Sequence, residues 1–317
     1  MARPRRAVAV FGVAAATLTV VVASRFVGSG QGSVATPTPV AQTHALSSAP
    51  ASKSGSASAT QPVTSADAAT AAQTPAQSAA QSVVQAVVSS APAGGVSVAA
   101  LDVTTGASFT AGASSGMTEA SLVKVQLLET LLLESGRTGT LLSGDEDADA
   151  TAMIENSDNA AAEDVFDDDG GRDTIVADET DLGLSTAVTI PGTDDYWGLT
   201  ATSAAQQLVL LDNLVSTTSP LDAAERSYAL DLMTNVESDQ RWGVGVVADA
   251  GSSFANKNGW LGVDDDNGLW AVNSAGIVSV HGHTVLLAVL TQHDDSEQSG
   301  IDLVQSLAQS TAAAVGD

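Results

Sequence analysis

The order of helical and β-strand patterns between residues 74 and 317 is the feature that most restricts the fold of this chain. Two short β-rich runs flank Thr104-Thr105-Gly106 and predict a hairpin. Three further strand candidates follow Gly243, over residues 252–262, 268–280 and 283–293, with turn-like segments between them. The stretch between the two groups is helical or acidic. We therefore expect the end strands to form one antiparallel sheet with a helical insertion packed beside it.

Helical patterns surround and fill this arrangement. A helix with valines at helical spacing ends near Pro92 and Gly94, and an amphipathic helix over residues 299–315 closes the chain. Within the insertion, the clearest helices cover residues 120–134 and 202–215. The second of these has one apolar face, formed by Leu208, Leu211 and Val215. We expect the terminal helices to cover the sheet and a cleft to lie between the sheet and the insertion.

The first 73 residues differ in composition from the rest. A basic start followed by an apolar run from Ala7 to Ala23 indicates that residues 1–27 are a cleaved export signal or an uncleaved membrane anchor. Residues 28–73 are rich in Ala, Ser, Thr, Pro and Gln, which predicts a disordered linker. The folded domain is expected over residues 74–317, with the helical insertion at about 120–240. Either reading of the leader places this domain outside the cytoplasm, secreted, associated with the cell wall or anchored at the outer face of the membrane.

The charge and the cysteine content exclude several classes of function. The formal net charge is −26, and only six residues beyond position 90 are positive. A surface this acidic repels nucleic acid and anionic lipid headgroups, so neither is an expected partner. The chain has no cysteine, which excludes a disulfide framework, a catalytic thiol and a lipid-modified cysteine. We expect a monomer.

Ser121-Leu-Val-Lys124 lies at the start of the helix predicted over residues 120–134 and contains one of three lysines in the chain. Positions three apart on a helix share a face, so the hydroxyl and the amine can meet. A lysine whose pKa is depressed toward neutrality by burial can accept the serine proton and make the serine a nucleophile. On its own, the pattern is more often a helix-capping serine beside a surface lysine.

Two more short motifs follow in the chain. Ser157-Asp158-Asn159 stands 33 residues after Lys124, and Lys257-Asn258-Gly259 lies on the first of the late strand candidates. Taken alone, the first is ordinary turn or capping material. In the second, a lysine can anchor a carboxylate and a glycine permits close backbone approach to a ligand.

The ordered set S-x-x-K, S-D-N and K-x-G resembles the signature of class A β-lactamases and penicillin-binding proteins, the penicillin-interacting serine hydrolases. The resemblance covers roughly residues 75–317 and implies an α+β fold, in which terminal helices flank a five-stranded antiparallel sheet beside an all-helical subdomain. It also implies the following roles. Ser121 would be the acylated nucleophile, Lys124 its proton acceptor, Ser157 a proton shuttle and Lys257 the support of Ser157. Substrate would contact Asn159, Asn258, Gly259 and the backbone N–H of Trp260.

Two positions depart from the family pattern. Asn258 replaces the usual threonine or serine of the third motif, which changes how a substrate carboxylate would be bound. Residues 178–200 contain no E-x-x-x-N motif for the glutamate that activates the deacylating water. The acids nearby, Glu179, Asp181, Asp194 and Asp195, are expected to be solvated loop residues. Since a positioned base contributes roughly 10²–10⁴-fold to its step, we expect a slowly hydrolysed acyl-enzyme.

Three functions therefore stay open at this point. The leading hypothesis is hydrolysis of a β-lactam or related amide through acyl-Ser121. The alternatives are a D,D-carboxypeptidase acting on peptidoglycan peptides and a module that binds cell-wall fragments or β-lactams without turnover. No cofactor is expected, and no metal is expected either. His281, His283 and His293 complete no zinc spacing, and the acidic runs do not match a calcium loop.

Overall fold

Residues 73–140, 142–185 and 196–316 are described by a computed structural model, and all of them belong to one compact unit. The leader predicted over residues 1–27 and nearly all of the linker predicted over residues 28–73 lie outside these ranges. No helix in the described ranges is long and apolar enough to cross a membrane.

The main sheet combines strands from both ends of the described chain, as the sequence predicts. β1 (Val96–Asp102) and β2 (Ser108–Gly112) form the hairpin, and β5 (Ala255–Val263), β6 (Leu269–Val280) and β7 (His283–Asp294) form the late meander. The strand order is β2-β1-β7-β6-β5 and every pairing is antiparallel. The predicted α+β class with a five-stranded antiparallel sheet is confirmed. β5 is an edge strand, so alternate backbone groups along it point away from the ladder.

The central strand β7 is buried on both faces, which explains its nearly continuous apolar sequence. Leu286, Ala288 and Leu290 face one apolar core, and Leu287 and Val289 face the other. The second core is closed by the terminal helices, α1 (Pro75–Ser90) and α8 (Glu297–Ala313). The first core belongs to the helical insertion.

The insertion is built around one helix that is buried on nearly all sides. α2 (Val123–Thr138) has every residue from Val123 to Leu133 buried, a pattern typical of a helix inside a bundle. In the described part of the insertion, five further helices lie around it: α3 (Gly144–Glu155), α4 (Asn159–Asp168), α5 (Arg172–Asp178), α6 (Ala204–Val215) and α7 (Ala223–Thr234). Two two-residue strands, β3 (Met117–Thr118) and β4 (Ala201–Thr202), pair with each other at the edge of this subdomain.

Two local expectations about the insertion need correction. The helix predicted over residues 120–134 begins as a 3₁₀ turn, Ala120–Leu122, and becomes α-helical only at Val123. The apolar face of α6 is centred on Leu210, Leu211 and Leu214, and two of the three residues predicted for it are only partly buried. In both cases tertiary packing overrides the local helical pattern, because close contact with the sheet reshapes the start of α2 and rotates the buried face of α6.

Adjacent valines in α1 provide a test of the second core. Val84 is 0% exposed and Val83 is 53% exposed. Val84→Ala is expected to lower the free energy of unfolding by about 1–3 kcal/mol, since it removes buried methyl groups and leaves a cavity. Val83→Ala should change it by less than about 0.5 kcal/mol. Urea unfolding of both variants measures the difference, and equal losses would show that α1 does not pack as described.

Candidate active site

Ser121 lies where the insertion meets the sheet. It occupies the middle of the 3₁₀ turn before α2, it is partly exposed, and the preceding Ala120 has a φ of 51°. This left-handed conformation is unfavourable for a residue with a Cβ and persists only where the surroundings impose it. The backbone at the predicted nucleophile is therefore held in place by its neighbours.

Lys124, in the first turn of α2, is completely buried and reaches the S-D-N motif. Its Nζ donates to the carbonyl oxygen of Ser157 at 2.6 Å and to Oδ1 of Asn159 at 2.7 Å, and it lies 3.2 Å from Ser157 Oγ. A neutral amine satisfies this set as well as an ammonium does, because it can donate twice and accept the hydroxyl proton.

Lys257 approaches the same hydroxyl from the sheet. Its side chain is buried, and Nζ donates to Ser157 Oγ at 2.8 Å and to the carbonyl oxygen of Asn258 at 3.0 Å. Ser157 has a φ of 56°, a left-handed turn between α3 and α4. The structure thus brings the amines of Lys124 and Lys257 to one hydroxyl. Ser121 lies three residues before Lys124, in the 3₁₀ turn that precedes α2.

Burial, and not an ion pair, sets the charge of the two lysines. No carboxylate in the described part of the chain forms an ion pair with either Nζ. Desolvation lowers the pKa of Lys124 to about 7, with partial opposition from the negative charge of Asp158. Desolvation also holds the pKa of Lys257 well below its usual range, and the nearby Lys124 lowers it further. At neutral pH a substantial fraction of Lys124 is therefore an uncharged base.

The S-D-N motif is fixed by the helix that follows it. The Asp158 carboxylate caps α4 by accepting hydrogen bonds from the backbone N–H groups of Ala160 and Ala161 at 2.7 and 3.0 Å. This cap orients the turn, so Ser157 points at the two lysines while Asn159, itself exposed, holds Lys124.

The residues of the third motif have different environments. Asn258 is buried, and its side-chain amide donates to the carbonyl oxygens of Gln240 at 2.8 Å and Trp242 at 3.2 Å. The indole of Trp260 packs edge-on against Trp242, with 5.9 Å between ring centroids. Both side chains thus contact the segment before β5. The part of Trp260 expected to contact a ligand is therefore its backbone N–H.

Gly259 brings the edge strand against the turn that carries Ser121. A Cβ on this residue would lie 2.8 Å from Glu119 O, from Ser121 N and from Leu122 N, all of them backbone atoms. Only glycine permits this approach. It places the backbone of β5 beside the N–H of Ser121, the arrangement that the predicted oxyanion site of Ser121 and Trp260 requires.

Two neighbours of the site escaped the sequence analysis. Trp197, almost fully buried, places its ring 5.3 Å from Lys124 Nζ, and its indole N–H donates to Glu163 Oε2 at 2.9 Å. Glu119 is fully buried two residues before Ser121, and its Oε1 accepts from Gln207 Nε2 at 2.7 Å. Neither belongs to a recognisable motif, and the only available signal was the proximity of Glu119 to the nucleophile.

None of the remaining expected acids and histidines that the structure describes is hydrogen-bonded to Ser121, Lys124, Ser157 or Lys257. Glu179 is half-buried and interacts with the side chain of Gln126, not solvated as expected, and its charge raises the pKa of Glu119. Asp181 pairs with Arg137. Asp194 and Asp195 fall outside the described residues. Ring nitrogens of His283 and His293 contact Asp102 and Asp266 at 2.8 and 2.5 Å. Within the described ranges, no three His, Asp or Glu side chains gather as metal ligands.

The close approach at Gly259 can be tested on one strand. Gly259→Ala is expected to cost about 1–3 kcal/mol of unfolding free energy, because the methyl group meets backbone that cannot move aside cheaply. Gly262→Ala is the control, since its Cβ would meet only the Trp270 ring at 3.7 Å or more. Thermal or urea unfolding measures both, and a Gly259→Ala protein as stable as the control would contradict the packing of β5 against Ser121.

Comparisons with known proteins agree with this geometry. The model of the Beta-lactamase enzyme family matches residues 149–315. A Mycobacterium tuberculosis protein named "Putative lipoprotein LppW" is 26% identical over 220 residues, 67% of this chain and 68% of that protein.

Solved structures share the fold at low sequence identity. PBP-A superposes with a TM-score of 0.62 and 20% identity over 73% of this chain and 94% of that one. A β-lactamase from Chitinophaga pinensis gives a TM-score of 0.63 and 18% identity over 73% and 97%. With a family model that covers more than half of its length and a matching fold, the chain belongs to the Beta-lactamase enzyme family.

Proposed function

We propose that this chain is an exported serine acyl-hydrolase that opens a β-lactam or a related amide through an ester on Ser121 and releases the acyl group slowly. One observation carries the proposal. Two buried lysine amines from opposite halves of the domain meet on the hydroxyl of Ser157, next to a serine held in a constrained turn. Buried amines with depressed pKa and no counter-ion are costly to maintain, and they cluster at functional sites.

The acylation step follows from these groups. Ser121 Oγ attacks the amide carbonyl carbon while neutral Lys124 accepts its proton, and the backbone N–H groups of Ser121 and Trp260 stabilise the oxyanion. As the C–N bond breaks, the leaving nitrogen takes the Ser157 hydroxyl proton, and Lys124 returns one to Ser157. Lys257 holds Ser157 in place through its hydrogen bond to the hydroxyl. While Lys124 is neutral, a protonated Lys257 would also attract a substrate carboxylate to a strongly acidic protein.

Two side chains receive modified roles in this proposal. Asn258 supports the segment at Gln240 and Trp242 through both of its amide hydrogens, so it shapes the carboxylate site indirectly. Asn159 keeps its proposed contact with substrate in addition to its bond with Lys124.

Slow release of the acyl group is supported by the surroundings of Lys124. The base that would activate water in the family is not found in the sequence of residues 178–200. One side of Lys124 is covered by the Trp197 ring, which offers no proton acceptor. In this proposal, water beside the ester has no positioned general base among the described residues, a loss of roughly 10²–10⁴-fold in that step.

The organisation of the chain forms part of the proposal. Residues 1–27 would export the protein, residues 28–73 would serve as a linker, and residues 74–317 would act outside the cytoplasm as a monomer. The relative LppW is named as a lipoprotein. Since this chain has no cysteine, a retained N-terminal segment would have to provide any attachment to the membrane. A mature protein that starts near residue 28 in the culture medium would exclude such an anchor.

A D,D-carboxypeptidase is the second candidate. The fold matches PBP-A, and a variant of that protein was solved as an acyl-enzyme complex with penicillin G. The same Ser121 chemistry would act on an acyl-D-alanyl peptide. Release of D-alanine from such a peptide at a rate above penicillin hydrolysis would favour this candidate. If neither substrate formed a covalent adduct, only the hypothesis of a module that binds without turnover would remain.

Ser121 is tested by intact-mass labelling with a fluorescent penicillin. We expect one adduct per chain for the wild type and none for Ser121→Ala. Ser135, a partly exposed serine on α2, donates to the carbonyl oxygen of Thr140, and Ser135→Ala should label like the wild type. An adduct that persists in Ser121→Ala would refute the assignment of the nucleophile.

The acid side of the pH profile tests Lys124. Because its pKa is lowered to about 7, the amine gains its base form as pH rises. The second-order acylation rate should therefore increase about tenfold per pH unit below pH 6 and level off above pH 7. Stopped-flow labelling from pH 5 to pH 8 measures this. A rate that is flat over this range would contradict general-base catalysis by Lys124.

The time course of a chromogenic cephalosporin tests deacylation. We expect a burst of about one product per chain, followed by steady turnover roughly 10²–10⁴-fold slower than the burst. Rapid linear turnover without a burst would show that a base for water exists and that the slow-release part of the proposal is wrong.

A further inference from the structure

Glu119 is a buried acid next to the nucleophile for which the acylation steps above provide no role. Its side chain is 0% exposed, and Oε1 accepts a hydrogen bond from Gln207 Nε2 at 2.7 Å. The other oxygen, Oε2, is buried and has no hydrogen-bond partner in the described part of the chain. An ionised carboxylate with one buried oxygen that lacks a partner is far more costly than a neutral acid in the same place, because burying a charge costs much more than burying an unpaired neutral group.

The main chain of Glu119 holds the turn before Ser121. Its N–H donates to the carbonyl oxygen of Thr200 at 2.8 Å, and its carbonyl oxygen accepts from Asn273 Nδ2 at 3.0 Å. These bonds tie the residue to the segment before β4 and to strand β6 of the sheet. The next residue is Ala120, in the left-handed conformation. The hydrogen bonds of its main chain therefore anchor Glu119 at the start of the strained turn that contains Ser121.

The electrostatic surroundings favour the neutral acid. Burial raises the pKa of Glu119 to about 8, against the lowering effect of the Gln207 hydrogen bond, and the negative charge of Glu179 raises it further. The side-chain amide of Gln207, on α6, also donates to the hydroxyl of Thr202. A second, uncharged acceptor therefore holds this amide in place beside Glu119. The titratable groups of the adjoining site are Lys124 and Lys257, whose protonation also affects the pH profile.

We propose that Glu119 is a positioning residue. As a neutral carboxylic acid hydrogen-bonded to Gln207, it keeps the turn at Ala120 in its left-handed conformation and thereby orients the hydroxyl of Ser121. The proposal rests on Ser121 being the nucleophile. When Glu119 loses its proton, the new charge is buried without a counter-ion, and the surrounding segment shifts to hydrate it. Acylation then declines on the alkaline side.

The expected pH profile of acylation is a bell. The rise reflects Lys124 near pH 7, and the fall reflects Glu119 above about pH 8. Glu119→Gln imitates the neutral acid at every pH, so it should keep the rise and lose the fall. At pH 9.5 it should be acylated about fivefold or more faster than the wild type. Glu119→Ala should be slower at every pH.

The control is Glu129→Gln. Glu129 is a second buried acid with a raised pKa. It lies on α2, about two helical turns beyond Ser121, and is hydrogen-bonded to Asn213, not to the segment before Ser121. This variant should keep the full wild-type bell. An unchanged alkaline fall in Glu119→Gln would overturn the proposal and point to Lys257 as the group that titrates. Absence of an adduct on the wild type at any pH would instead refute the proposed function.

Two further readouts cover a Glu119→Gln protein that folds poorly. Gln207→Leu removes the bond that lowers the Glu119 pKa, so the alkaline fall of its acylation rate should shift to higher pH.

Stability provides a test without catalysis. A raised folded pKa means that stability from this group is present below pH 4.5 and is lost as pH rises to about 8. The advantage of Glu119→Gln in urea unfolding should grow over that interval, and a constant difference would contradict a neutral Glu119.

Discussion

Two amines that share one hydroxyl in a buried crevice impose the main constraint on this structure. Lys124 comes from the core helix of the insertion, Lys257 from the edge strand of the sheet, and Ser157 lies between them at 3.2 and 2.8 Å. Two ammonium groups this close repel each other, and burial disfavours both charges. Stability of the arrangement therefore requires that at least one of the amines give up its proton easily. The chemistry of the site follows from this requirement.

The rest of the fold brings these groups together and buries the two amines away from solvent. The absence of a side chain at Gly259 allows β5 to approach Ser121. The Asp158 cap of α4 helps to fix the S-D-N turn that faces the lysines. The Trp197 ring closes another side of Lys124. An acid close enough to form an ion pair would raise the pKa of Lys124 and keep its amine protonated at neutral pH, which its proposed role as a base does not permit. The carboxyl group nearest the nucleophile in sequence, Glu119, is buried separately, and burial raises its pKa.

Much of this could be predicted from the sequence, because pattern and chemistry agree along the chain. The period-two runs at both ends predict the five strands of the sheet. The three short motifs point to Ser121, Lys124, Ser157 and Lys257 as the candidate site residues. The 3₁₀ start of α2 could not be predicted, since it results from the approach of β5 and a local helical pattern contains no trace of it. The side-chain direction of Asn258 was likewise invisible, because it depends on the carbonyl groups at Gln240 and Trp242. Trp197 and Glu119 act through tertiary contacts alone.

The most direct test of this account is a proton titration of the lysines themselves. The chain has only three, Lys53, Lys124 and Lys257, so selectively labelled lysine side chains give few NMR resonances, which single Lys→Arg variants assign. The account predicts that Lys124 titrates near pH 7, that Lys257 titrates well below the usual lysine range, and that replacing either lysine shifts the other. Independent titration of both above pH 10 would contradict it, since two solvated ammonium groups could not form the site described.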